Sequence, residues 1–307
     1  MKKIFTLFVL LVAGMSVLAQ QNNKTPSADS MLNLLSSADA QHEQILPAFN
    51  ATRLIFSPTT ETVKKNNLNF LIIHRFGDMG TAIGGFRSFF GLDAVNDVYL
   101  GIEYGFTDNF QVSVGRNSIG QMGETQFKWA LIHQSTDDHT PLNLTLLAGE
   151  GIRPYGSFAS FGDRLSYIGE LIISRKFSRT FSFELSPVYV WDNQPLPYVP
   201  GNPPGFFALS TAFRWKVTKR MSLIADYEHP FSSFRNNSGN FEDPIGFGAE
   251  FETGGHVFTL NVTNARAISQ INSLSNSTSS YGRGQFRLGF TISRMFDFNK
   301  KKTSNNY

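Results

Sequence analysis

From residue 67 onward, apolar and polar residues alternate with a period of two. In 109–115, Phe110, Val112 and Val114 alternate with Gln111, Ser113 and Gly115. In 180–191, Phe181, Phe183, Leu185, Tyr189 and Trp191 share one face, and Ser182, Glu184 and Ser186 share the other. Phe207, Leu209, Phe213 and Trp215 likewise oppose Ala208, Ser210, Ala212 and Arg214. In the last such run Leu288, Phe290 and Ile292 oppose Arg287, Gly289, Thr291 and Ser293. Strict alternation marks strands with one apolar and one polar face. It predicts strands at 68–76, 97–106, 109–116, 122–134, 140–151, 165–177, 180–191, 205–217, 220–229, 244–253, 255–264 and 284–296. Several reach ten residues or more, the length a tilted membrane strand requires.

The connections set the topology. Thr107-Asp108-Asn109, Ser178-Arg179-Thr180, Thr218-Lys219-Arg220 and Thr253-Gly254-Gly255 read as tight hairpin turns. Longer polar segments rich in Gly and Pro lie between them, at 77–96, 152–164, 192–204, 230–243 and 265–283. Short turns alternating with long loops describe an all-β transmembrane antiparallel β-barrel of about 12 strands, with turns and both termini in the periplasm. The alternative all-β reading is a soluble secreted β-sandwich adhesin with the aromatic face as its core. Tyr104, Phe106, Phe110, Trp191, Trp215 and Tyr227 near strand ends favour a lipid belt instead. Residues 51–57 could form one more strand. Pro58 and the polar run to Asn67 separate them from the rest, and the reading is a pre-barrel piece at or inside the periplasmic mouth. Residues 272–280, rich in Ser and Asn, read as a mobile outer loop.

Composition agrees with this picture. Thirty Phe beside 26 Gly and 13 Pro suit strands and turns better than helices. Lys2 and Lys3, the apolar stretch from Ile4 to Leu18 and the small Ala19 predict a secretory signal over 1–19. After it no apolar run is long enough for a spanning helix. The expected plan is therefore signal 1–19, leader and pre-barrel segment 20–66, barrel 67–298 and polar tail 299–307. A short amphipathic helix is expected in the leader around Leu32 and Leu35. Outer-membrane localisation in a Gram-negative envelope follows, with outer-membrane lipid and the barrel assembly machinery as partners. The absence of Cys excludes disulfides, thiol catalysis and a lipoprotein anchor. A net charge of +3 is too small to argue for nucleic acid.

Between Leu68 and Gln134 the chain carries His74-Arg75-Phe76-Gly77, Phe89-Phe90-Gly91-Leu92-Asp93 and Tyr104-Gly105-Phe106-Thr107-Asp108. Gly115-Arg116 and Phe127-Lys128-Trp129 follow. These motifs resemble a β-barrel family of unknown function common in Bacteroidota. The resemblance implies an envelope barrel over most of the chain and carries no chemistry.

Candidate chemistry lies mainly on the polar face. With apolar faces toward lipid, the lumen receives Arg75, Glu103, Glu124, Lys128, Glu170, Glu184, Arg214, Asp226, Glu228, Glu250 and Arg287. This set could line a narrow channel or bind a small polar solute. It could equally pair internally in a filled lumen, which is the expectation for so few strands. Arg75 is expected to pair with a lumenal carboxylate. The enzymatic alternative is a barrel-borne lipid hydrolase, because outer-membrane phospholipases hold a His and a Ser two residues apart, oriented by an Asn. Here His133 and Ser135, expected with Trp129 and Leu131 on the outward face, and Asn143 are the candidates. Ile132 and Thr136-Asp137 depart from that pattern, so the chain is expected not to be an enzyme. The six His show no metal-ligand spacing, and no cofactor motif appears.

Overall fold

A computed structural model describes residues 46–80, 84–195, 200–237 and 239–299. The signal segment, the expected helix near Leu32 and the tail from residue 300 lie outside the described residues. Twelve antiparallel strands close into a barrel. They are β1 (Asn67–Asp78), β2 (Val95–Gly105), β3 (Phe110–Asn117), β4 (Gly123–Ile132), β5 (Asn143–Ile152) and β6 (Leu165–Lys176). The ring continues through β7 (Phe181–Asp192), β8 (Gly205–Lys216), β9 (Met221–Phe231), β10 (Ile245–Thr253), β11 (His256–Thr263) and β12 (Arg287–Asp297). Each strand pairs with its sequence neighbours, and β1 also pairs with β12, Ile72 lying opposite both Leu100 and Ile292. That closure excludes the two-sheet sandwich and leaves no open edge.

The predicted strands recur nearly residue for residue. The largest differences are late starts at β5 and β12, which begin at Asn143 and Arg287. Residues 51–57 do not join the barrel, where only an isolated bridge between Arg53 and Pro58 forms. Two short α-helices occur in the described loops, α1 (Ser233–Asn237) and α2 (Gln270–Asn276).

The apolar faces point outward. Phe106, Trp129, Phe177, Phe181 and Trp215 are exposed near the end carrying the short turns. Tyr167, Tyr189, Trp191, Phe207 and Phe231 are exposed near the opposite, long-loop end. Aromatic girdles at both rims of an apolar band are the surface of a lipid-facing barrel. Neighbouring rings pack across strands, Tyr189 and Phe207 with centroids 4.9 Å apart.

Candidate functional site

The inward face of the barrel is occupied by two other parts of the chain. The first is residues 46–66, which lead directly into β1. They are tied to the turn end, where Leu46 N–H donates to the Gln134 carbonyl at 2.9 Å and Asn66 N–H to that of Gly105 at 2.9 Å. In between, the chain reverses as a hairpin, with Thr59 N–H donating to Thr52 O and Leu54 N–H to Ser57 O, both at 2.9 Å. Its apex sits on Asp226 of β9. The successive N–H groups of Ile55, Phe56 and Ser57 all donate to Asp226 Oδ2, at 3.2, 3.0 and 2.9 Å. Such a run of amides makes a concave anion-binding nest, here filled by a wall carboxylate. Phe49, Leu54, Ile55 and Phe56 pack on the inward Ala212 and Ile224, which supplies the apolar part of the contact.

Wall residues then bind each limb. Thr52 Oγ1 donates to Glu103 at 2.6 Å, Lys128 Nζ to Thr52 O at 3.1 Å, and Thr60 N–H to Glu184 at 3.2 Å. The Arg53 guanidinium lies 5.5 Å from the ring centroid of Tyr99. Tyr99 lies against the wall because Gly101 and Gly115 leave room for it. A Cβ at position 115 would come within 2.1 Å of its hydroxyl.

The second insert is the connection from β11 to β12. Residues 272–280 do not stand outside as a mobile loop, and this corrects the sequence reading. Gln270–Asn276 is a helix whose residues from Gln270 to Ser275 are buried. Ser269 caps it by accepting from Asn272 N–H. Ile271 and Leu274 pack on Leu147, Ile168, Ile172 and Val188 of the wall. The Ser and Asn content, taken for solvation, instead serves polar bonding to the lumen. Gln270 Nε2 and Ser273 Oγ both donate to Glu228 at 3.0 Å, and Ser269 Oγ donates to Glu124. Ile268 N–H donates to Asp97 at 2.8 Å. Arg153 pairs with Asp192 at 2.9 Å and reaches Asn272 Oδ1 at 3.3 Å.

Arg75 joins the two inserts. Its guanidinium donates to Ile55 O at 3.3 Å, to Ala265 O at 3.2 Å and to Ala267 O. Its hydrogen bonds therefore go to backbone carbonyls rather than to the carboxylate partner expected from sequence. The other expected lumenal residues are all buried inside the ring. Arg214 pairs with Glu250 at 2.8 Å and Arg287 with Asp78 at 2.7 Å. Lys128 lies in the field of Glu103, Glu184 and Glu170, and Asp226 lies in the field of Glu184 and Glu228.

The sequence reading missed Arg53, Asp97, Tyr99, Arg153 and Asp192. Asp97 and Tyr99 stand on the same inward face as Glu103, so carrying the period two and three steps back along β2 would have found them.

His133, Ser135 and Asn143 do not converge. The outward register breaks at a bulge between Ala130 and Ile132. Leu131 and Ile132 are both exposed, while Ser135 is buried. His133 Nε2 meets Asn109 Oδ1 at 2.9 Å, and Ser135 Oγ donates to Asp137. Asn143 accepts from Gln134 N–H at 2.8 Å and donates to Ser174 at 3.3 Å. Partial burial, assisted by Lys64, holds the His133 imidazole below its ordinary pKa.

Clefts remain at both ends. On the loop side, cavities of about 380 and 200 Å³ adjoin through shared Asn96, Arg266 and Thr278. On the turn side a cleft of about 260 Å³ is lined by Asn50, Glu61, Asn69 and Glu252. The two ends share no lining residue. The hairpin apex, Arg75 and α2 lie between them.

The fold is similar to that of the NanC porin, at 8% identity and a TM-score of 0.47, over 74% of this chain and 98% of that one. An outer membrane channel from Pseudomonas putida F1 gives 9% identity and a TM-score of 0.47, over 77% and 98%. The KdgM porin gives 8% and 0.43, over 76% and 99%. At these identities the likeness concerns the fold alone. No curated protein matches the sequence. The family model described as "Membrane bound beta barrel domain (DUF5777)" matches residues 49–296, a span that takes in β1 to β11, all but the last residue of β12, most of the 46–66 insert and α2. The chain belongs to this family of membrane-bound β-barrels.

Proposed function

We propose that the protein is a non-enzymatic outer-membrane barrel, exported by its signal segment, that binds a small polar solute and keeps its lumen closed at rest. The long loops face outward and the hairpin enters from the periplasm. The carrying observation is that two separate inserts meet inside the ring and are held there by polar bonds to the wall as well as by apolar packing. Asp226 holds the hairpin apex, Glu228 holds α2, and Arg75 joins them. Carboxylates that accept from inserted backbone and side chains can exchange those donors for water or solute, while the packing of Ile271 and Leu274 on the apolar part of the wall favours the filled lumen at rest. A polar cleft at each mouth supports solute binding, and the dispersal of His133, Ser135 and Asn143 supports a role without hydrolysis.

Conductance in planar bilayers tests this. The wild-type protein is expected to be silent or to pass only a small unit current. Replacing residues 269–278 by a short Gly-Ser linker is expected to give a larger, lasting current. A large, steady wild-type current matching that of the variant would overturn the closed-lumen reading.

A further inference from the structure

Within the reading of a solute-binding barrel, we infer that the joined loop-side clefts form a binding site for a small polyhydroxylated monocarboxylate, an acidic sugar of one or two rings. Three observations carry this. The first is size: about 380 and 200 Å³, joined at Asn96, Arg266 and Thr278, fall in the range of small-ligand pockets.

The second is charge. Arg287 lines the cleft but is neutralised by Asp78 at 2.7 Å. Among the described residues no acid makes an ion pair with Arg266, whose side chain is exposed. The cleft thus offers one uncompensated guanidinium, a planar fork that matches a single carboxylate in two parallel hydrogen bonds. A dianionic phosphate would leave one charge unmatched.

The third is unused hydrogen bonding. Asn272 and Asn276 stand one turn apart on α2, so their side chains share a face. Asn272 is only 2% exposed, yet its Nδ2 has no protein partner, and neither side-chain polar atom of Asn276 has one. Buried amides are rarely left unpaired. A carboxamide both donates and accepts, the complement of a hydroxyl that does both. Amides on the floor and a guanidinium on the rim therefore fit hydroxyls and a carboxylate on one compact molecule. Because the floor is α2 itself, the ligand would touch the helix that fills the lumen.

Calorimetric titration of the full-length protein in detergent micelles tests the site, with D-glucuronate, glucose and acetate as probes. Saturable glucuronate binding is expected, with glucose and acetate each at least tenfold weaker, since each carries half of the recognised chemistry. Arg266→Gln, at an exposed position, is expected to weaken glucuronate binding tenfold or more. Asn276→Leu is expected to weaken glucuronate and glucose alike. Heat-modifiable gel migration confirms that both variants retain the barrel. Absence of saturable glucuronate binding, or binding that both variants leave unchanged, would overturn the inference. Silent wild-type bilayers with no glucuronate binding would remove this site alone, whereas a wide-open wild-type barrel would remove the closed-lumen reading.

Discussion

Arg75 places a full positive charge where neither lipid nor bulk water can solvate it, and it spends its donors on three carbonyls from two distant parts of the chain. Removing the guanidinium strands those carbonyls inside the ring. Arg75→Met is expected to lower stability by about 3 kcal/mol, the scale of a buried polar network left unpaired. The measurement is a shift to lower temperature in the conversion from folded to unfolded gel band. Arg75→Lys is expected to recover little, because an ammonium lacks the planar fork that reaches several acceptors at once. The sequence placed Arg75 inside the barrel by alternation alone, but its partners could not be read there. They are carbonyls, which every residue carries, and no side-chain pattern announces them. Tyr99 is a parallel case. Its setting depends on Gly101 and Gly115, whose missing Cβ atoms are visible in sequence only as two more glycines.

Three of the short turns are built to one plan. Thr107, Ser178 and Thr218 each turn a hydroxyl oxygen inward to accept N–H groups two and three residues ahead. In each, the residue before and the hydroxyl residue itself donate to one carbonyl, that of Phe110, Phe181 or Met221. The hydroxyl therefore satisfies amides that the tight reversal takes out of the ladder. Thr107→Ala and Thr218→Ala are each expected to cost about 1 kcal/mol, while Thr107→Ser costs much less. Denaturant titration in lipid vesicles would register the difference. These turns were legible because each ends a clean alternating run. The two inserts were not, since neither carries a long period of any kind. Their signal lay in the wall instead. Leu171-Ile172-Ile173 and Val188-Tyr189-Val190-Trp191 are apolar on both faces, which a water-filled lumen would not favour. Ile172, Val188 and Val190 point inward to an apolar cluster that includes Ile271 and Leu274 of α2. A doubly apolar strand in an otherwise alternating barrel marks where something apolar is packed inside.

At the scale of the whole molecule, wall and filling form one polar and apolar unit. The filled lumen follows from ring size, because twelve strands enclose a space that a hairpin and a short helix can occupy. The hairpin also has a position in time. Only residues 60–66 separate it from β1, and β1 is the strand that must meet β12 to finish the ring. A barrel that zipped first would have to thread the 46–66 segment in afterwards through its turn-side mouth. The economical sequence of events has the hairpin already present while the sheet curls, so that its apolar side chains and Asp226 contact guide the curvature. Deleting residues 46–63 is accordingly expected to slow refolding into vesicles and lower its yield, followed as the growth of the heat-modifiable band. Equal rates with and without the segment would show that the ring closes unaided. On this account the chain carries its own mandrel, and the seam between first and last strands is the final stitch around it.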